Sequence, residues 1–275
     1  MTILDGKKLS QKILGEVKEE ISQSGKKLRL AVVIVGKNPV IEKFVAQKRK
    51  TAKDVGVDVR TYNFEDAITT NELRKRIAEI VHEKKNTGVI IQLPLPKHIN
   101  TQYVLNRVTP EKDVDVLSAK AIGNFEVGKS QVFPPVVGKV RAFFDEYKID
   151  YKNLYIVVAG AGNLVGRPIA IWLLNEGATF GVVRSTTEHP EDFFKKADII
   201  ITGVGKPKFV KGDMVKDGVV VIDAGTSESE GEVVGDVDFD SVAQKASHIT
   251  PVPGGVGPVT VAVLLKNLVT LSRSK

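Results

Sequence analysis

Cysteine is absent from the 275 residues. Disulfides, thiolate nucleophiles and cysteine metal ligands are thereby excluded, which is compatible with a reducing compartment. Histidine is scarce, with four residues, and none of them has metal-ligand spacing, so no metal is expected. Aromatics are few, and the lysines are scattered rather than interleaved with them. The net charge of +7 is therefore read as suiting a polyanionic small ligand, and no nucleic acid is expected. No apolar run approaches the roughly 20 residues that span a bilayer. The opening Met-Thr-Ile-Leu-Asp-Gly-Lys-Lys lacks the apolar core of a signal peptide. The expectation is a cytoplasmic chain with no membrane contact.

What is present is an ordinary globular composition, 42% apolar and 27% charged, long enough for one large or two modest domains. The most informative stretch runs from Tyr155 to Ser185. A β-branched run, Ile156 to Val158, reads as a buried strand. It enters a turn carrying Gly160, Gly162 and Gly166. A helix follows, expected to place Ile169, Leu173 and Leu174 on one face, and then a second strand, Ala178 to Val183. This is the strand–turn–helix–strand unit that holds a dinucleotide pyrophosphate; equally, it could be a tight turn in a doubly wound sheet without a ligand. In the first reading, glycines let backbone approach phosphate, and the helix N-terminus supplies free N–H groups. The turn residues Gly160, Ala161, Gly162, Asn163, Leu164 and Val165 are the candidate phosphate contacts. An NAD site usually carries an acid at the end of the second strand. Here the strand ends in Arg184 and Ser185, a cation and a hydroxyl that suit a 2′-phosphate. NADP is therefore expected over NAD, unless Arg184 is only a solvated cation.

Elsewhere helix and strand patterns alternate. Helical spacing runs from Leu9 to Ile21, ended by Gly25, and again from Val40 to Val55. Strands are expected at Leu30 to Val35, Val57 to Phe64 and Gly88 to Leu93. Thr69 and Glu72 form a capping box for a helix through Val81. The Pro-rich point Phe133-Pro134-Pro135 precedes a helix through Tyr147, ahead of the dinucleotide unit. Asp198 to Thr202 and Val219 to Asp223 read as further buried strands, and Val259 to Leu271 as an amphipathic helix. The fold class is α/β, with an N-terminal α/β lobe and a Rossmann-type dinucleotide lobe. The expected boundaries are 1–117 plus 251–275 for the first domain and 118–250 for the second, with substrate in a crevice between them.

Several residues could carry chemistry. Lys48 lies one helical turn beyond Phe44, so the two share a face. Gln92 ends a parallel strand, where open α/β sheets bind ligands. Asp113 and Asp115 are on one loop, where alternate residues can point oppositely. The Pro251 to Pro258 segment reads as a rigid backbone platform. Taken singly, Lys48 is equally a surface lysine, Gln92 a strand tie, Asp115 a turn residue and His248 a packed strand residue.

Together they resemble a family. Ile91-Gln-Leu-Pro-Leu-Pro96, Pro110-Glu-Lys-Asp-Val-Asp115, Val165-Gly-Arg-Pro168, Gly203-Val-Gly-Lys-Pro207, Val234-Gly-Asp-Val-Asp-Phe239 and Pro251-Val-Pro-Gly-Gly-Val-Gly-Pro-Val-Thr260 are similar to the signatures of the bifunctional methylenetetrahydrofolate dehydrogenase/methenyltetrahydrofolate cyclohydrolase family. The resemblance runs from Asp5-Gly-Lys to near the C-terminus. It implies oxidation of methylenetetrahydrofolate, hydrolysis of the product to 10-formyltetrahydrofolate, tetrahydrofolate one-carbon derivatives as ligands, and a homodimer. It assigns catalytic roles to Lys48 and Gln92 and pterin anchoring to Asp115. It also implies substrate contacts from Phe44, Pro253, Gly254 and Gly255, and cofactor contacts that include Thr226. The sequence departs from the family pattern at Phe44 (usually tyrosine), Ile41 (serine), Val116 (glycine), Gly162 (serine) and Arg184 (histidine). Further departures are Ala161, the Pro134-Pro-Val-Val137 segment and Gly225-Thr-Ser.

Overall fold

Continuous β-branched runs form parallel strands here because both faces of a parallel sheet are covered. In the computed structural model, which describes residues 1–229 and 232–273, two such sheets are built in two units.

One unit comprises residues 12–135 and 261–275. Its sheet has the order β3-β2-β4, with β2 at Arg29–Val35, β3 at Asp58–Phe64 and β4 at Gly88–Ile91, all parallel. Helix α2 (Pro39–Asp54) links β2 to β3, and α3 (Thr70–His82) links β3 to β4 on the other side of β2. The chain thus leaves β2 first to one side and then to the other. The carboxyl ends of β2 and β4 form a topological switch point. Helix α3 shows how the sequence dictates the packing. Thr69 and Glu72 form the expected reciprocal cap, while Leu73, Ile77, Ile80 and Val81 are buried. Burying four such side chains, at about 1.5–3 kcal/mol each, far outweighs a cap worth about 1 kcal/mol.

The other unit comprises residues 1–11 and 136–260. Its six parallel strands have the order β1-β11-β8-β7-β5-β6, with β1 at Thr2–Ile3, β5 at Tyr155–Ala159, β6 at Thr179–Val183, β7 at Ile199–Thr202, β8 at Val220–Asp223 and β11 at His248–Ile249. Its switch point lies between β5 and β7. Helix α7 (Gly166–Asn175) is seated by buried Trp172, whose ring centroid is 5.0 Å from that of Tyr151, itself 5.2 Å from Phe144 of α6 (Pro135–Glu146). Glu176 accepts from both the Trp172 indole N–H and the Tyr151 hydroxyl. Burial and the Glu176 carboxylate push the Tyr151 phenol up to about 12.

Four readings change. Leu174 is 67% exposed, because the buried face of α7 runs through Ile169, Trp172 and Leu173 and residue 174 turns away from it. The last helix, α10 (Val256–Arg273), is not amphipathic: Val259, Ala262, Val263, Leu264, Leu265, Leu268, Val269 and Leu271 are all buried. By length and composition α10 could cross a membrane, contrary to the expectation that no run approaches that length, but most of it is buried inside the protein. The contact division differs from the expected 117/118 and 250/251 boundaries. Strands β1 and β11 pair within the six-stranded sheet, and α5 (Ala119–Glu126) falls in the other unit.

Candidate active site

In the three-stranded unit, Lys48, Gln92 and Asp115 converge. The Lys48 Nζ donates to Gln92 Oε1 at 2.8 Å. Gln92 Nε2 donates to the Leu93 carbonyl at 3.0 Å, which fixes the amide with its oxygen toward the lysine. The Gln92 backbone N–H donates to Val33, so the residue sits at the β2/β4 switch point. Burial lowers the Lys48 pKa, and the nearby Asp115 charge opposes that shift; desolvation is the larger effect. Phe44, one turn earlier on α2, is 58% exposed and free to present a flat ring.

The aspartate loop shows why the two acids of Asp-Val-Asp differ. Asp113 is buried and accepts from the Leu117 and Ser118 backbone N–H groups at 3.1 and 2.8 Å. Burial pushes its pKa up, against those hydrogen bonds. Asp113 therefore turns the loop, and Asp115 faces the lysine. Val116 follows at φ 55°, a left-handed conformation that a β-branched residue rarely adopts. That costs about 1–2 kcal/mol, offset by burying the side chain, worth about 1.5–3 kcal/mol.

The six-stranded unit carries the other candidates. Gly160 has φ 103°, its N–H donates to Val183, and a Cβ there would meet the Gly203 carbonyl at 3.0 Å. A Cβ on Gly166 would overlap the Gly160 carbonyl oxygen. Glycine is thus required at both ends of the turn. Gly162 is different: open space surrounds it and its φ is ordinary, so the fold itself does not demand glycine there. Ala161, Gly162, Asn163 and Leu164 are exposed, Val165 is half-buried, and no side chain caps the N-terminus of α7. Arg184 and Ser185 are exposed just beyond β6, on a turn in which the Arg184 N–H donates to Thr187 Oγ1 at 2.9 Å. Thr226 is exposed just beyond β8. A turn whose two ends admit no side chain, an uncapped helix start and an exposed cation together fit a phosphorylated dinucleotide.

The same unit builds the glycine–proline platform. Gly254 has φ 110°, and the Gly6 N–H donates to its carbonyl at 3.0 Å. A Cβ on Gly6 would overlap the Gly255 carbonyl, and Gly255 is held by its N–H to Pro251 at 2.8 Å. Pro253 is exposed on this surface. No local pattern in the sequence marks Gly6, which lies in the Asp5-Gly-Lys string. His248 is a packed strand residue of β11, its pKa lowered by burial and by the N-terminal amine.

Both parts of the chain match known proteins. The pattern described as "Tetrahydrofolate dehydrogenase/cyclohydrolase, catalytic domain" matches residues 4–115, and its "NAD(P)-binding domain" matches residues 134–275. The "Bifunctional protein FolD" of Nautilia profundicola is 44% identical over 100% of this chain and 98% of its own. The crystal structure of the bifunctional FolD enzyme from Campylobacter jejuni superposes with a TM-score of 0.96 at 40% identity, covering 100% of this chain and 99% of that one. The Trypanosoma brucei methylenetetrahydrofolate dehydrogenase-cyclohydrolase, complexed with NADP cofactor and inhibitor, gives 0.94 at 32% identity, covering 100% and 98%. The chain belongs to the tetrahydrofolate dehydrogenase/cyclohydrolase family.

Proposed function

We propose that the protein oxidises 5,10-methylenetetrahydrofolate to 5,10-methenyltetrahydrofolate with NADP⁺ and hydrolyses that product to 10-formyltetrahydrofolate. Membership of the family, with both of its domains matched, supports the two activities. The relative complexed with NADP supports that cofactor. The observation that carries the reading is the Lys48–Gln92 hydrogen bond beside Asp115.

When bound, NADP⁺ supplies the hydride acceptor. The Gly160–Val165 turn and the start of α7 would hold its pyrophosphate. Arg184 and Ser185 would hold the 2′-phosphate, and Thr226 would line the same end of the sheet. Asp115 would accept N–H bonds from the aminopyrimidine edge of the pterin. Phe44 would stack on the ring, and Pro253, Gly254 and Gly255 would offer flat backbone to the folate. Hydrolysis then needs a base. A partly desolvated lysine loses its proton more readily than a solvated one, and a cationic substrate nearby lowers its pKa further. Lys48 takes a proton from the attacking water while Gln92 holds the amine in place. The enzyme would work in the cytoplasm as a homodimer. Sedimentation at the 29.9 kDa mass of a single chain would overturn the dimer.

A second reading, a dehydrogenase with a weakened hydrolytic step, is favoured by Phe44, which lacks the hydroxyl of the family tyrosine. Adding enzyme to methenyltetrahydrofolate and following its absorbance separates the two. A rate no faster than the spontaneous one selects the second reading. On the first, Phe44→Tyr raises hydrolysis or leaves it unchanged, and a large loss would show that this helix face is misassigned.

A further inference from the structure

Two buried carboxylates stand at the carboxyl ends of β7 and β8, outside every role given above. Asp236 is fully buried and accepts three hydrogen bonds: from Thr202 Oγ1 at 2.9 Å, from the Val204 N–H at 2.7 Å and from the Lys206 N–H at 2.9 Å. Asp223 accepts from the Gly225 N–H at 2.9 Å and the Val237 N–H at 3.0 Å, and also from the Asp236 backbone. The two acids are neighbours: a Cβ on Gly225 would overlap the Asp236 carboxylate, and one on Gly235 would overlap that of Asp223. Burial, with a smaller contribution from the Asp236 charge, pushes Asp223 up to about 6. Burying two like charges together is unfavourable, and apolar residues of similar volume often serve stability better. What the pair supplies is a set of acceptors for N–H groups of irregular backbone.

That backbone is at the switch point. The segment held by Asp236, residues 202–206, includes Gly203, which donates to Ala159 at 3.0 Å and lies against the phosphate turn. A Cβ on Gly203 would overlap the Val165 side chain, and the Gly203 carbonyl faces Gly160. The segment held by Asp223 runs into Thr226. We propose that Asp223 and Asp236 are positioning residues for the dinucleotide, setting the 202–206 and 224–226 loops against the Gly160–Val165 turn without touching the cofactor. The inference rests on the dehydrogenase reading above.

The test uses the whole enzyme and both reactions. Parent turnover of methylenetetrahydrofolate with NADP⁺ is measured first; its absence would overturn the functional reading itself. With that activity in hand, Asp236→Asn should raise the KM for NADP⁺ about tenfold or more, since an amide cannot accept at both oxygens. The KM for NAD⁺ should rise equally, because the pair reads no 2′-phosphate. Hydrolysis of methenyltetrahydrofolate without nucleotide should stay within about twofold of the parent, and Asp236→Glu should recover part of the KM. Thr202→Val, which deletes one donor at constant shape, should raise KM about threefold and serves where Asp236→Asn does not fold. Parental KM values in the variants, or loss of hydrolysis in parallel with oxidation, would overturn the proposal.

Discussion

The two units each contain a parallel sheet with one switch point, yet the two points are furnished in opposite ways. At the β2/β4 point the candidate chemistry is in side chains: Lys48 on a helix, Gln92 at a strand end and Asp115 on a loop. At the β5/β7 point it is in backbone: Gly160, Gly166 and Gly203 pack main chain on main chain, and an uncapped helix start faces outward. On the proposed function, the difference follows from the ligands. Proton transfer needs a group with a shifted pKa, which only a side chain supplies. A pyrophosphate needs many converging N–H donors, which backbone supplies at close range. The same architecture therefore tolerates change differently at its two points. One is expected to lose function with the removal of a functional group, the other with the addition of a methyl at Gly160 or Gly166.

The sharpest break is expected from Lys48→Met. Hydrolysis of methenyltetrahydrofolate should fall by about a thousandfold, in the range that general-base removal gives, while NADP⁺ binding measured by titration holds. The parent should also hydrolyse faster as pH rises through the depressed Lys48 pKa, since the neutral amine is the base and burial favours it. Lys48→Met should lose that rise, and a pH profile unchanged by the substitution would remove Lys48 from the step.

Next in size is Gly166→Ala. Its methyl meets the Gly160 carbonyl oxygen, which is backbone and cannot swing aside. The KM for NADP⁺ should rise by about a hundredfold, roughly 2.7 kcal/mol, with a lower melting temperature. Arg184→Ala should be smaller, raising the KM for NADP⁺ about tenfold and that for NAD⁺ less than about twofold. Equal effects on both would mean that Arg184 does not read the 2′-phosphate. Smallest is Gly162→Ser: with open space around it and an ordinary φ, both activities should change by less than about twofold.

How much of this was legible depended on where each signal resides. Buried parallel strands announce themselves as apolar runs, so β2, β5, β7 and β8 were found to within a residue or two. The Thr69 cap was local and was read correctly. Strands β1 and β11 have two residues each, too few for any periodicity, and they exist only because the sheet offers them edges. Helix α5, capped by Ser118, buries Ala121 and Phe125 one turn apart, a stripe too short to stand out from the sequence. Among the site residues, Lys48, Gln92 and Asp115 stood out through motif order, while no local pattern separated Asp115 from Asp113; burial did. The Asp223–Asp236 pair is invisible in the sequence because its meaning lies in a contact between residues thirteen positions apart, although Asp236 lies in the Val-Gly-Asp-Val string.

The most direct test of the division between side-chain chemistry and backbone binding is a paired assay on Lys48→Met and Gly166→Ala. Hydrolysis of methenyltetrahydrofolate without nucleotide and the affinity for NADP⁺ are measured on the same preparations. If the division holds, Lys48→Met hydrolyses at the spontaneous rate with parental NADP⁺ affinity, and Gly166→Ala hydrolyses at the parental rate with weakened NADP⁺ affinity. Loss of both properties in either variant, or parental hydrolysis in Lys48→Met, would contradict it.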